Sequence, residues 1–352
     1  LDQEIEKKGF IMPVDMGAKG SCHIGGNVAT NAGGLRYVRY GSLHGSVLGL
    51  EVVLADGTVL DTLSTLRKDN TGFDVKQLFI GSEGLLGVVT KVSLSTPRRC
   101  KNVNVAFFAC ESYEACTKVY ADAMRDCGEI ISAVEFMDQG SMDVVLTNLD
   151  YTRDPLSDKF PFYCLIETSG SNADHDMEKL QGFLDHVMEE GVVLDGVVAE
   201  SQSQIDALWA IREGIAEACA KVGAVYMYDI SLPLGTLYKS VEDMNTQLAG
   251  RASAIGFGHL GDGNIHLTVY QKEYDDTLVD VMEPFIYEWT AKNNGSIGAE
   301  HGVGRMKADY MHFRQPEPVV RAMRQLKDSF DPNGILNPYK VLPSEIRPRF
   351  EE

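Results

Sequence analysis

Two histidines in a glycine-rich segment are the residues of this chain best suited to chemistry. His259 and His266 are separated by six residues within GHLGDGNIH (258–266), and Glu300 and His301 follow further along the chain. Two imidazoles and a carboxylate form the ligand set of an open divalent metal centre, which leaves a position for substrate. The pattern therefore favours a metal site. The alternative is a pair of core histidines in a Gly-rich hairpin.

Two further runs of small residues precede this segment. They are GAKGSCHIGGNVATNAGG (17–34) and IGSEGLLG (80–87). Small side chains let backbone N–H groups approach a bulky ligand, and diphosphates bind in such nests. The longer run does not end in GKS or GKT and lacks a GxGxxG between strand and helix, so it is not a P-loop or a Rossmann fingerprint. Glycines that permit tight packing are the alternative interpretation.

Arg212 lies on the apolar stripe of a predicted helix. The other members of that stripe are Ile205, Leu208, Ile215 and Cys219. A buried guanidinium needs an anionic partner, because an unpaired buried charge costs several kcal/mol. The partner is either an internal carboxylate or the carboxylate of a substrate, and a snorkelling side chain is a third reading.

Composition sets limits on partners. The chain has 352 residues, 44% of them hydrophobic, and a formal net charge of -19. This charge argues against nucleic acid or an anionic membrane as the main partner, and no apolar run reaches the ~20 residues that span a bilayer. Seven cysteines without a CxxC are typical of thiols in a reducing compartment. Because the chain begins with Leu1 rather than Met, we expect a fragment whose targeting segment lies outside it.

Local patterns predict strands and helices in a definite order. Apolar alternation predicts strands, and Ser, Asn or Asp caps predict helix starts. The Asp56-Gly57 turn predicts a hairpin. The predicted strands are 47–54, 59–62, 87–94, 103–109, 132–137, 162–168 and 196–200; helices begin near Tyr113, Gln139, Ala173 and Gln204, and two more cover 277–292 and 318–330. A boundary is expected near 97–101.

With these segments assembled, the chain resembles the FAD-dependent D-2-hydroxyacid dehydrogenases of the vanillyl-alcohol oxidase type. The resemblance covers essentially the whole chain. The segments that carry it are GAKGSCHIGGNVATNAGG (17–34), RYGSLHG (39–45), LRKDNTG (66–72), FIGSEG (79–84), YDISLP (228–233), GHLGDGNIH (258–266), AEHGVG (299–304) and ILNPYK (335–340).

The resemblance implies an α+β fold in three parts. Residues 1–98 would be the C-terminal half of a FAD-binding domain, whose earlier half, with a Gly-rich pyrophosphate loop, lies upstream of Leu1. Residues 99–280 would form a substrate domain with an antiparallel sheet covered by helices. Residues 281–352 would be a helical segment that completes the active site. Without the upstream half, we expect the chain alone not to hold FAD normally.

The resemblance also implies roles for individual residues. His259, His266 and Glu300 match metal ligands, for which zinc is expected. His301 matches the histidine beside the substrate hydroxyl and would be the catalytic base, and Arg212 matches an arginine that binds substrate carboxylate. The positions that match flavin-lining stretches are Gly20, Ser21, Gly25, Gly26, Asn27, Thr30, Asn31, Gly33, Gly34, Gly81, Glu83, Gly84 and Asn337.

Three substrate-facing positions depart from the family pattern. Met227 replaces a lysine, Ala216 a threonine and Thr268 an asparagine. The loss of a cation weakens the case for a dicarboxylate, because a second carboxylate favours a charged partner. D-lactate or another D-2-hydroxy acid is therefore the alternative to D-2-hydroxyglutarate as substrate.

The implied reaction is metal-assisted oxidation of D-2-hydroxyglutarate to 2-oxoglutarate, with hydride transfer to the flavin. The resemblance further implies a mitochondrial matrix location and electron-transfer flavoprotein as the acceptor, with a homodimer left open. Two other classes remain as alternatives. One is an inactive isoform or binding module, and the other is a zinc hydrolase, which would leave the glycine runs of the first hundred residues without a ligand.

Overall fold

The computed structural model describes residues 1–350 and has an α+β architecture. It divides into two compact units. The first consists of residues 1–99 together with residues 296–350, and the second consists of residues 100–295. The predicted third segment starts at residue 281, inside a helix of the second unit, whereas the division between the units follows Gly295.

The strands and helices are numbered along the chain. The strands are β1 (Val47–Val53), β2 (Val59–Asp61), β3 (Val88–Leu94), β4 (Asn102–Cys110), β5 (Ile131–Asp138), β6 (Phe162–Gly170), β7 (Asp195–Val198), β8 (Ala224–Ser231), β9 (Ser253–His259) and β10 (Asn264–Gln271). The helices are α1 (Asp2–Glu6), α2 (Ile24–Thr30), α3 (Tyr37–Tyr40), α4 (Leu43–Ser46), α5 (Tyr113–Cys127), α6 (Gln139–Asn148), α7 (Ala173–Glu189), α8 (Gln202–Val222), α9 (Lys239–Leu248), α10 (Asp276–Lys292) and α11 (Glu317–Phe330).

The first unit contains a three-stranded antiparallel sheet in the order β2-β1-β3. The predicted hairpin at Asp56-Gly57 is present. Gly57 has a φ of +86°, and the Asp56 carboxylate accepts a hydrogen bond from the Thr58 N–H at 2.9 Å. Such a turn needs the left-handed conformation that glycine adopts without strain. The sheet packs its buried side on the core, which includes Leu50 and Phe79.

The second unit is built on a seven-stranded sheet in the order β7-β4-β6-β5-β9-β10-β8, with every neighbouring pair antiparallel. Because side chains alternate along each strand, one face presents Phe107, Met137 and Phe257 to the apolar sides of α6 and α8. On the opposite face Phe108 contacts Phe183 of α7. The sheet is therefore covered by helices on both faces.

Side-chain caps fix where the helices of this unit begin. Ser112 accepts from the Ala115 N–H ahead of α5, and Asp138 accepts from the Ser141 N–H ahead of α6. Ser201 caps α8, so that helix begins at Gln202 rather than at the predicted Gln204. A capping side chain satisfies one of the N–H groups that the first turn leaves unpaired. In the described residues no helix is long and apolar enough to cross a membrane.

Candidate active site

Adjacent strands in the second unit bring the two predicted metal-binding histidines together. His259 ends β9, and His266 lies on β10 after a four-residue turn. In the antiparallel register His259 is opposite Asn264, and His266 is opposite Phe257, so both imidazoles project from the same face of the sheet. Their Nε2 atoms are 3.3 Å apart, and both side chains are buried.

This spacing suits one shared divalent ion. A tetrahedral ion with metal–nitrogen bonds of about 2.0–2.1 Å separates two nitrogen ligands by about 3.3 Å. The Nε2 atoms of His259 and His266 have that separation. His259 and His266 therefore fit as two of the three predicted metal ligands.

Glu135 holds His259 in place. It lies on β5 directly across from His259, is fully buried, and its Oε1 lies 2.6 Å from His259 Nδ1. An ionised carboxylate can only accept a hydrogen bond, so Nδ1 carries the proton and Nε2 keeps its lone pair. A carboxylate behind a histidine in this way is the usual support of a metal ligand.

Arg212 is the second partner of Glu135. It lies on α8 and is 5% exposed, and its Nε and Nη2 atoms are each 2.7 Å from Glu135 Oε2. The guanidinium also stacks on Phe257, with 4.8 Å between the guanidinium carbon and the ring centroid. The internal salt bridge considered from the sequence is therefore present. Binding of a substrate carboxylate remains a prediction, and the five N–H donors of a guanidinium allow both roles.

Asp229 lies beside His266. It is on β8 directly opposite His266, is 1% exposed, and its Oδ1 is 3.8 Å from His266 Nδ1. The same oxygen accepts a hydrogen bond from Asn264 Nδ2 at 2.8 Å. Glu135 and Asp229 were not predicted as site residues. The signal that would have indicated them is a lone carboxylate within an otherwise apolar strand.

The three residues that depart from the family pattern all lie in the second unit. Met227 on β8 is directly opposite Thr268 on β10, so the two side chains share the face that carries His266. Thr268 is fully buried, and its hydroxyl has no hydrogen-bond partner among residues 1–350, whereas Met227 is 40% exposed. Ala216, one turn after Arg212, is exposed. The face thus lacks a cation at the position where the resemblance places one.

In the first unit, Glu300 is held against the longer glycine run. Its Oε2 accepts a hydrogen bond from the Gly34 N–H at 2.9 Å. A Cβ built on Gly33 would lie 3.0 Å from the same oxygen, so the absence of a side chain lets the carboxylate approach. His301 Nε2 is 3.7 Å from Glu300 Oε1, and its side chain is about half exposed.

Glu83 fixes the turn that follows Glu300. Its Oε1 accepts from the Val303 N–H at 2.7 Å, and its Oε2 accepts from the Gly304 N–H at 2.8 Å. Its backbone carbonyl accepts from Asn337 Nδ2 at 2.6 Å. The motifs FIGSEG, AEHGVG and ILNPYK, which are far apart in the sequence, therefore meet in this unit. The predicted flavin contacts of Glu83 and Asn337 stay predictions.

The glycine runs leave backbone open to a ligand at three predicted flavin positions. Nothing lies within 4 Å of a Cβ built on Gly20, Gly26 or Gly84. This open backbone fits the approach of a bulky cofactor. Gly34, by contrast, serves the fold, because it has a φ of +104° and its Cβ would lie 2.3 Å from the Asp15 carbonyl oxygen.

Several other predicted flavin positions have a local structural contact. Asn31 ends α2 in the left-handed conformation, and its Oδ1 accepts from the His44 N–H at 2.9 Å. A cavity of about 300 Å³ lies beside the shorter glycine run and is lined by residues that include Gly81, Glu83 and Val303. The predicted flavin contacts of five further residues stay predictions: Ser21, Gly25, Asn27, Thr30 and Gly84.

Family profiles match most of the chain. A family profile described as FAD linked oxidases, C-terminal domain, matches residues 99–341, which is more than half of the chain. The chain belongs to the FAD-linked oxidase family. A second profile, the FAD binding domain, matches residues 1–63. The predicted cofactor FAD is confirmed by these FAD-linked oxidase matches, whereas zinc stays a prediction.

Two relatives of the chain are both named as D-2-hydroxyglutarate dehydrogenases. It is 55% identical to a probable mitochondrial D-2-hydroxyglutarate dehydrogenase of Oryza sativa subsp. indica, over 98% of this chain and 62% of that protein. It is 56% identical to the mitochondrial D-2-hydroxyglutarate dehydrogenase of Arabidopsis thaliana, over 97% of this chain and 61% of that protein. The chain thus spans about three fifths of the length of these relatives. The predicted family resemblance is confirmed.

A solved structure supports the fold. The 4-ethylphenol oxidase of Gulosibacter chungangensis has a TM-score of 0.72 to this chain at 15% identity, covering 98% of this chain and 75% of the oxidase. At that identity the likeness concerns the fold alone. Together with the family matches, it confirms the predicted α+β fold class of the vanillyl-alcohol oxidase type.

Proposed function

We propose that the protein containing this chain is an FAD-dependent dehydrogenase that oxidises D-2-hydroxyglutarate to 2-oxoglutarate. The names of relatives at 55% and 56% identity support this substrate, and membership of the FAD-linked oxidase family supports the cofactor. In this proposal FAD would be the ligand of the two glycine runs. A zinc hydrolase would leave those runs without one.

The pair of histidines carries the proposal. Two Nε2 atoms 3.3 Å apart, one of them backed by a buried carboxylate, are suited to a divalent ion next to the cationic Arg212. His259 and His266 would supply two ligands. Glu300 is taken as the third ligand from the sequence pattern. Zinc is the proposed ion, and when bound it supplies Lewis acidity toward the 2-hydroxyl and the carboxylate of the substrate.

The chain's own side chains perform the remaining tasks. Arg212 would bind the substrate carboxylate through the guanidinium edge that Glu135 does not use. His301, whose side chain is about half exposed, would accept the proton of the 2-hydroxyl at Nε2. FAD supplies the acceptor for the two electrons. The open backbone at Gly20 and Gly26 supports the proposal that the first glycine run lines the flavin.

Met227 and Thr268 favour D-lactate as a second candidate substrate. The pair presents a thioether and a hydroxyl where the family has a lysine and an asparagine. D-Lactate has a methyl group where D-2-hydroxyglutarate has a CH2CH2COO− arm, so it has no second carboxylate that favours a cation, and the loss of lysine costs less for lactate. Electron-transfer flavoprotein as acceptor and a mitochondrial matrix location are proposed from the resemblance, and the names of the relatives support the mitochondrial location.

Product formation tests the substrate. The full-length protein, loaded with FAD and zinc, is supplied with an artificial electron acceptor and with D-2-hydroxyglutarate, L-2-hydroxyglutarate or D-lactate. The proposal predicts 2-oxoglutarate from the D enantiomer, with the highest kcat/KM of the three. A higher kcat/KM for D-lactate would replace the primary substrate by the second candidate. No 2-oxo acid from any of them would refute dehydrogenase activity and favour the inactive isoform.

A further inference from the structure

Three buried cysteines of the second unit form a cluster outside the proposed active site. Cys110 ends β4, Cys116 lies on α5, and Cys164 lies on β6. Their sulfur atoms all lie within 4.8 Å of one another, and each residue has no exposed surface. The proposed oxidation uses none of them.

The strand register and one helix cap assemble this cluster. Cys164 is opposite Phe108 in the β4–β6 pair, so it shares a sheet face with Cys110, two residues further along β4. The chain then turns, and Ser112 caps α5. The beginning of α5 carries Cys116 onto the other two thiols.

We propose that Cys110, Cys116 and Cys164 form a second metal site, which binds a soft ion of low coordination number, Cu(I). Thiolates select soft ions. Among residues 1–350 no fourth histidine, cysteine or carboxylate donor lies within the same distance of the group. Burial of all three residues leaves no opening for a water ligand. Structural zinc almost always takes four ligands, so a closed three-sulfur site suits Cu(I) better.

The size of the sulfur triangle is compatible with one central ion. With metal–sulfur bonds of about 2.3 Å, an ion in the plane of three sulfurs holds them about 4 Å apart. In the cluster no two of the three sulfur atoms are more than 4.8 Å apart. Metal binding therefore requires a contraction of less than about 1 Å, which rotation about the side-chain bonds can supply.

The surroundings offset the negative charge of such a site. Cu(I) displaces S–H protons from the thiols that bind it. The cluster lies at the N-terminus of α5, a 15-residue helix whose dipole favours negative charge there.

Competition for Cu(I) tests the proposal. The full-length protein, anaerobic, reduced and saturated with zinc so that the histidines are occupied, is titrated with Cu(I) against a chromophoric chelator. One tightly bound Cu(I) per chain is expected, with an affinity that falls about 100-fold or more in Cys116→Ser and in Cys164→Ser. Cys127→Ser is the matched control, since Cys127 is a buried thiol on the same helix outside the cluster. Equal Cu(I) binding in all four proteins would overturn the proposal.

A second measurement on the unmodified protein does not depend on the folding of variants. X-ray absorption at the copper edge should give three sulfur neighbours and no nitrogen or oxygen. Two sulfurs, or any nitrogen or oxygen neighbour, would overturn the three-thiolate site. A disulfide within the cluster, detected by mass spectrometry of the alkylated but unreduced protein as purified, would also overturn it and favour a redox pair instead.

Discussion

Glu135 Oε1 lies 2.6 Å from His259 Nδ1, although the two residues are 124 positions apart in the chain. Its other oxygen is 2.7 Å from both Nε and Nη2 of Arg212. One buried carboxylate therefore orients a proposed metal ligand and neutralises a proposed substrate-binding cation. The metal and the substrate carboxylate would be positioned by the same side chain.

Replacement of Glu135 by glutamine should weaken metal binding. The amide cannot match a carboxylate as acceptor for Nδ1, so the orientation and basicity of His259 are lost, and zinc affinity should fall about 10–100-fold. Chelator competition measures this directly. Glu167→Gln is the matched control, because Glu167 is a buried carboxylate of the same sheet that bonds Ser132 and Trp209 instead. An equal loss of zinc affinity in both variants would show that general destabilisation of the fold is responsible, and not the loss of the Glu135 contact to His259.

Met227→Lys should raise the preference of the enzyme for D-2-hydroxyglutarate over D-lactate. The new ammonium would lie on the face that carries His266 and Thr268, where an ion pair to the distal carboxylate is worth about 1.5–3 kcal/mol. The ratio of kcat/KM for D-2-hydroxyglutarate to that for D-lactate should therefore rise about tenfold or more. Met227→Gln offers similar length without charge and should leave the ratio within about threefold of the unmodified protein. No change with lysine would mean that residue 227 does not contact the substrate.

Gly302 and Gly304 should respond differently to alanine. Both have positive φ, so each substitution carries about 1–2 kcal/mol of backbone strain. A Cβ on Gly302 would also lie 2.7 Å from Glu83 Oε1, whereas none of the surrounding atoms lies within 4 Å of one on Gly304.

Glu83 cannot move aside without releasing the Val303 and Gly304 N–H groups. Gly302→Ala should therefore cost about 1–3 kcal/mol more than Gly304→Ala in the free energy of unfolding. Urea denaturation of the two variants gives the difference. Equal losses would mean that the Glu83 contact adds nothing to stability.

Asp331 should give the protein an acid-sensitive component of stability. Burial acts to raise the pKa of Asp331, but hydrogen bonds from Lys327 and from the Leu336 and Ile335 N–H groups outweigh it and lower that pKa to about 2 from a usual value of 3.8. A lowered carboxyl pKa stabilises the fold above the unfolded value, and this contribution is lost as pH falls from about 3.8 to about 2.

The difference in unfolding free energy between the unmodified protein and Asp331→Asn should thus be largest above pH 4 and shrink toward pH 2. Measuring denaturation of both proteins across this range isolates Asp331 from the other carboxylates. A constant difference would contradict the assignment of the low pKa to this residue.

The elements that sequence predicts well are those set by local signals. Alternating apolar residues and the Ser112 and Asp138 caps predicted β4, β5, α5 and α6 within a few residues. Helix α9 was not predicted.

The environment of the candidate site depends on strand pairing, which local patterns do not encode. An internal carboxylate partner was one of three interpretations of Arg212 in the sequence, and Glu135 could not be identified because the pairing of β5 with β9 is what places it opposite His259. The pairing of Met227 with Thr268 likewise requires the β8–β10 register. Contacts between residues that are far apart in the sequence therefore could not be predicted from local patterns.

Anaerobic reduction of the flavin, followed with and without metal, tests the central claim most directly. Full-length protein is stripped with a chelator, and D-2-hydroxyglutarate is added before and after zinc is returned. The account predicts slow bleaching of the flavin without metal, fast bleaching after zinc is returned, and no recovery in His266→Ala. Fast bleaching in the stripped protein, or full recovery in His266→Ala, would contradict the assignment of His259 and His266 as the metal ligands of a D-2-hydroxy acid dehydrogenase.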